Sequence, residues 1–136
     1  MKKLKIQKGK TGQGSMKIKR LDNMFSICKV NDFSQIDLNN EFCFTGRTEE
    51  EYSLVCQTCH VPRNTVERDD GWRAFRIEGV LDLSLIGILS QITTLLAGHN
   101  IGIFAISTYN TDYILTKEEN FKRALDVLAF SGYSVV

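Results

Sequence analysis

Two stretches carry the side chains with the most chemistry in them. The first is Cys56-Gln57-Thr58-Cys59-His60, a C-x-x-C-H spacing that can hold a c-type haem through two thioether bonds and an axial histidine. The second is Ser107-Thr108-Tyr109-Asn110-Thr111-Asp112, where hydroxyls, an amide and a carboxylate follow one another without interruption. Such a run can donate and accept several hydrogen bonds at once, which suits a small polar molecule. The two stretches point to different chemistry, one covalent and the other reversible binding.

The covalent reading needs support that the chain does not supply. Haem is attached after export, and the N-terminal region has no apolar run of signal-peptide length. A zinc site would need one further thiol beside Cys56, Cys59 and His60, yet no second closely spaced Cys pair exists. A Cys56 or Cys59 nucleophile with His60 as base lacks an evident carboxylate to orient the imidazole. His99, the other histidine, falls at the end of a helical pattern, where an imidazolium interacts favourably with the helix dipole. These residues therefore read as a redox pair at most and otherwise as incidental cysteines. Neither catalysis, a metal nor a cofactor is expected.

Charge narrows the partners. The formal net charge is +1, but residues 1–20 hold eight of the 17 Lys and Arg and none of the 16 acidic residues. The remaining chain carries 9 basic against 16 acidic side chains, a balance of −7. An acidic body disfavours a nucleic-acid-binding face. The basic segment, with Gly9, Gly12, Gly14 and Ser15 and a fresh start at Met16, reads as a basic tail or an appended leader. The longest apolar-rich region, residues 80–106, is interrupted by Asp82, Ser84, Ser90, Gln91, His99 and Asn100, so no membrane span is expected. Four cysteines without an export signal fit reduced thiols in the cytoplasm, and Cys28 and Cys43 sit among apolar residues as small buried side chains do.

The elements that must position the polar run follow from periodicity. Residues 21–70 hold strand candidates at 24–30, 41–48 and 52–56, and Asp69-Asp70-Gly71 reads as a turn that closes this half. From residue 72 to 79 apolar and polar positions alternate as in a half-buried strand. Leu85, Ile88, Leu89, Ile92, Leu95 and Leu96 then recur at helical spacing, with Asp82 or Ser84 as cap and Gly98 or Asn100 as stop. Residues 101–107 and 113–116 read as a hairpin around the polar tip. A helix burying Phe121, Ala124, Leu125 and Leu128 follows, then Gly132 and a last strand over 133–136. The order β-α-β-β-α-β predicts an α+β, ferredoxin-like fold over 71–136, with both helices on one sheet face and the other face open to pairing.

The segments Gly71-Trp72-Arg73, Glu78 through Gly87 and Ile103-Phe104-Ala105-Ile106-Ser107-Thr108-Tyr109-Asn110-Thr111-Asp112-Tyr113-Ile114-Leu115 resemble the ACT domain. The resemblance is closest to small tandem-ACT proteins of the branch that includes the cellular arginine sensors. Phe25-Ser26-Ile27-Cys28-Lys29-Val30 and Ser53-Leu54-Val55-Cys56 are similar to the companion half of those proteins. The resemblance implies a non-catalytic regulatory module that binds an amino acid at an interface between ACT units. It implies a ligand loop at Asp82, Ser84, Leu85, Ile86 and Gly87, with Ser107, Thr108, Tyr109 and Asp112 as polar partners and Asp112 set against an ammonium or guanidinium. Where many ACT domains have a proline before the loop glycine, this chain has Ile86. The partners implied are a small molecule together with further copies of the chain or another protein, and neither nucleic acid nor membrane. The alternatives are a ligand-free oligomerisation module and a redox or haem protein built on Cys56, Cys59 and His60.

Overall fold

The computed structural model describes residues 16–78 and 87–136, and the chain divides into two compact units. One unit is Asn23–Trp72; the other joins the described residues up to Asp22 with Arg73–Val136. No helix among the described residues is long and apolar enough to cross a membrane.

The unit containing Arg73–Val136 is built from β1 (Lys17–Arg20), the second half of the long strand β5 (Thr65–Glu78), helix α1 (Ile88–Ala97), β6 (Phe104–Ser107), β7 (Asp112–Lys117), helix α2 (Glu118–Phe130) and β8 (Ser134–Val135). From β5 onward this is the βαββαβ order of a ferredoxin-like fold. Strand neighbours run β6-β7-β5-β1-β8. The core lies beneath the helices, where Phe75, Ile77 and Ile114 of the sheet meet Ile92 and Leu96 of α1 and Phe121, Ala124, Leu125 and Leu128 of α2. Ile88, Leu89 and Leu95 pack partly buried against the same core, so the helical spacing seen in the sequence becomes one inward face.

The tail expected over residues 1–20 is corrected at its end. Lys17–Arg20 pairs antiparallel with β5 and parallel with β8, placing β1 between them. Met16 and Ile18 belong to the core, Ile18 with no exposure at all. Alternation explains this: Ile18 faces in while Lys17 and Lys19 face out, and the abundance of lysine hides a four-residue strand. Residues 1–15 lie outside the described residues. The face opposite the helices is also less bare than expected, because Ala74 of β5 and Leu115 of β7 on that side are buried.

The turn expected at Asp69-Asp70-Gly71 is instead part of β5. Phe25 pairs with Trp72 but Ile27 pairs with Asp69, so β5 carries one residue more than β2 (Phe25–Val30) across that interval. Gly71 takes the extra residue's bend at φ +86°, a backbone conformation glycine adopts without strain. A turn signal has been spent on a bulge, and the division between the units follows it at Trp72–Arg73.

The unit Asn23–Trp72 arranges β3 (Phe44–Arg47), β4 (Tyr52–Gln57), β2 and the first half of β5 in that order, all antiparallel. Its small core holds Cys28, Val30, Leu54 and Cys56, with Phe33, Ile36, Cys43, Tyr52 and Val61 packed on it.

Candidate functional site

The polar run from Ser107 to Asp112 forms the tip of the β6–β7 hairpin. Ser107 and Asp112 stand directly opposite each other, and the Ser107 hydroxyl donates to Asp112 Oδ1 at 2.5 Å. Thr108 and Thr111 close the four-residue loop: the Thr108 amide donates to the Thr111 carbonyl at 2.8 Å, and Thr108 Oγ1 donates to that same oxygen at 2.9 Å. Tyr109 projects from the loop with 89% of its surface exposed.

Strand alternation decides which face Asp112 occupies. Ile114, two residues on, is fully buried in the core beneath the helices, so Asp112 and Ser107 share the helix-covered side. Tyr113 points the other way, where its hydroxyl meets Arg76 Nη1 at 3.4 Å and Arg76 grips Glu78 Oε2 at 2.7 Å. Those bonds hold the Arg76 guanidinium charged. Arg76 and Glu78 thus neutralise each other on one side of the sheet while Asp112 stands on the other.

Several contacts place the start of α1 at the same end of the unit as the hairpin tip. Thr111 Oγ1 donates to the carbonyl of Ile77, the residue before the last of β5. Glu78 pairs with Lys17, and Lys17 pairs with Ser134. Tyr133, next to Ser134, brings its hydroxyl within 3.5 Å of Gln91 Oε1 in the first turn of α1. Hairpin tip, end of β5 and first turn of α1 therefore lie at one end.

Gly87 is the N-cap of α1, at φ +91° and ψ 0°, and its carbonyl accepts the first helical bond from the Gln91 amide at 2.7 Å. Among the described residues no side chain caps this terminus and its first turn has no acid; a helix start carries the positive end of the helix dipole. The other expected loop residues, Asp82, Ser84, Leu85 and Ile86, and with them the expected caps, lie outside the described residues. The opposite end of α1 is satisfied locally. Asn100 takes the left-handed conformation at φ +60°, the Ile101 amide reaches the Leu96 carbonyl at 3.0 Å, and His99 Nδ1 lies 3.0 Å from the Leu95 carbonyl.

The C-x-x-C-H stretch divides between two environments. Cys56 is buried in β4, whereas Cys59 and His60 are exposed on the 3-10 turn Thr58–His60. That separation is set by strand alternation and opposes joint attachment of both thiols to one haem. Among the described residues no group of three or more His, Cys, Asp or Glu side chains is placed to hold a metal ion.

Sequence reasoning missed two features of the site. Thr111 as the tether between hairpin and β5 has no signal of its own, since its partner is a backbone carbonyl. The Arg76–Glu78 pair could have been found from its i, i+2 spacing on a strand, which places both side chains on one face.

Residues 67–129 match the family model of the ACT domain. This part of the chain is similar to an ACT domain. The match takes in nearly all of β5, α1, the hairpin and nearly all of α2. No curated protein matches the chain. Among solved structures, protein Atu0741 from Agrobacterium tumefaciens is 27% identical with a TM-score of 0.77, over 89% of this chain and 92% of that one. A Vibrio cholerae protein of unknown function, VC0802, described as a possible transport protein, is 21% identical at TM-score 0.71, over 88% and 92%. The regulatory subunit of aspartate kinase from Thermus thermophilus shares the fold at TM-score 0.61 with 8% identity, over 82% and 94%. The fold is accordingly α+β and ferredoxin-like, as the order of elements implied, and ACT-like, as the resemblance implied.

Proposed function

We propose that the protein is a non-catalytic regulatory module that binds an amino acid at an interface between ACT units. Occupancy would shift an assembly equilibrium, with further copies of the chain or with a partner protein. The observation that carries this reading is the placement, at one end of the unit, of a helix start with a glycine N-cap and a carboxylate–hydroxyl pair. A zwitterion needs both signs of partner a short distance apart. The amides at the start of α1 suit its carboxylate, and Asp112 suits its ammonium or a side-chain cation.

In this reading Asp82, Ser84, Leu85, Ile86 and Gly87 supply the loop around the ligand's backbone, with Gly87 allowing close approach. Ser107, Thr108 and Tyr109 supply the remaining polar and apolar contacts. Asp112 accepts the Ser107 hydroxyl, so ligand binding exchanges one charge-assisted hydrogen bond for another instead of burying a bare charge. A regulatory role is in keeping with the regulatory aspartate kinase subunit that has the same fold. The four free cysteines suit a reducing, cytoplasmic compartment, and the chemistry needs neither metal nor cofactor.

The test is a thermal-shift screen of the purified chain against the standard amino acids and common nucleotides. A ligand at one hundred times its Kd adds about 2.7 kcal/mol and moves the midpoint by several degrees. A shift with one or two amino acids is the expected result. No shift with any of them, at concentrations up to several millimolar, would leave a ligand-free oligomerisation module as the better reading.

A further inference from the structure

The small core of the unit Asn23–Trp72 is unusual in its sulfur. Cys28 of β2 and Cys56 of β4 are both buried, and both belong to one cluster with Val30 and Leu54. Their strands are paired in a register that sets Cys28 opposite Leu54 and Ser26 opposite Cys56, so the two cysteines are diagonal neighbours on one face. The two thiols influence each other, the Cys28 thiol being lowered and the Cys56 thiol raised by their interaction. Cys43, half-buried, packs on the same cluster, and Phe44 opposite Val55 places it in line with Cys56 on the other side. On the remaining flank Arg68 stands directly opposite Cys28 across the β2–β5 pair.

This arrangement separates Cys56 from Cys59, its sequence neighbour in the C-x-x-C spacing, and gives it a different partner. We propose that Cys28 and Cys56 are an oxidisable pair that closes to a disulfide when the protein meets a disulfide oxidant such as oxidised glutathione. The Cys28 thiolate attacks one sulfur of glutathione disulfide and expels one glutathione. The Cys56 thiolate then attacks the Cys28 sulfur of the mixed disulfide and expels the second. Two thiol protons are released to solvent and neutralise the two departing glutathione thiolates. The protein is oxidised by two electrons, and glutathione disulfide is reduced to two glutathiones.

The assignment of attacking and resolving sulfur follows from the surroundings. The interaction with Cys56 and the Arg68 guanidinium lower the Cys28 thiol below its ordinary value, whereas Cys56 is pushed up by the same side-chain interaction, then by burial and by the charge it faces on Cys28. Diagonal neighbours in an antiparallel pair have Cα atoms roughly 7–8 Å apart, slightly beyond the span most disulfides take. Closure must therefore draw β2 and β4 together. The register of β2 against β5 is irregular on both sides of Ile27–Lys29, so that β2 is held less regularly on this side than by its unbroken pairing with β4. A bond made under such strain is easily reduced again, which suits a reversible modification better than a permanent brace.

The test uses the full chain carrying Cys59→Ser, which removes the exposed thiol and leaves the small core untouched. The protein is treated with graded oxidised glutathione, blocked with an alkylating agent, digested and mapped without reductant. The expected product is a Cys28–Cys56 linked peptide pair that disappears on treatment with dithiothreitol and is absent from Cys28→Ser and Cys56→Ser variants. Wild-type protein should give the same link, with Cys59 glutathionylated alone. A Cys56–Cys59 link in the wild type, a Cys43–Cys56 link, or alkylation of Cys28 and Cys56 as free thiols at every oxidant ratio would each overturn the proposal. Because the readout is a covalent link in native protein, it stands or falls independently of amino-acid binding.

Discussion

Asp112 is the residue on which the binding proposal turns, and its surroundings allow two roles. As a hairpin residue it accepts the Ser107 hydroxyl across the strands; as a ligand contact it must release that bond to a cation. The roles separate in a pair of variants. Ser107→Ala removes the cross-strand bond and leaves the carboxylate in place, whereas Asp112→Ala removes both the bond and the charge. The bond is exposed, so either change should cost less than about 1 kcal/mol of stability, and the two melting points should lie close together. Affinity for the amino acid found by thermal shift should fall at least tenfold in Asp112→Ala, the loss of about 1.4 kcal/mol or more of charge-assisted bonding. Ser107→Ala should lose less. Equal affinities in wild type and Asp112→Ala, measured by calorimetry, would return Asp112 to the hairpin alone. A second residue-scale lesson concerns Cys56, whose role cannot be read from the motif containing it. Alternation along β4 turns it inward to Cys28 while Cys59 lies outside on the 3-10 turn.

β1 shows what one short element contributes and why it escaped notice. Ile18 is wholly buried among Phe75, Ile77 and Tyr133, while its neighbours Lys17 and Lys19 are exposed. Ile18→Ala should cost about 2–5 kcal/mol through lost burial and the cavity left in the core, and Lys19→Ala should stay within about 0.5 kcal/mol. Chemical denaturation of both variants measures this. Equal midpoints would show that β1 adds nothing to the ACT unit. The long helices and the hairpin were legible in the sequence because their apolar residues repeat over several turns or alternate around a polar tip. Phe121, Ala124, Leu125 and Leu128 are buried together as their spacing requires. β1 was not legible, since four residues with one apolar side chain give no period and a lysine-rich context argues for solvent. Asp69-Asp70-Gly71 carried a true conformational signal with two outcomes, because a glycine at positive φ serves a turn and a bulge equally well. Which outcome occurs depends on whether β2 continues alongside, and that is a property of the pairing, not of the three residues.

At the scale of the whole molecule the chain leaves the helix-bearing unit after Asp22 and re-enters it at Arg73, so β1 pairs with β5 and β8 while the Asn23–Trp72 unit lies between them along the chain. The family match over residues 67–129 therefore begins inside one unit's strand and omits β1 of the other. A regulatory module of the kind proposed would act through what it associates with, and thermodynamic linkage fixes the size of the effect. If an amino acid binds the assembled state tenfold more tightly than the free chain, saturation with that amino acid strengthens assembly by the same factor per site, about 1.4 kcal/mol. Equal affinity for both states would leave assembly unchanged however tight the binding. Sedimentation equilibrium of the chain with and without the amino acid from the screen should show the association constant rising at least tenfold. Asp112→Ala should assemble as the unliganded wild type does and fail to respond. If the wild type binds the amino acid and its mass distribution does not move, self-assembly is not the regulated equilibrium. The state that distinguishes bound from empty chain must then be one with a different protein, to be sought by comparing complexes captured with and without the ligand.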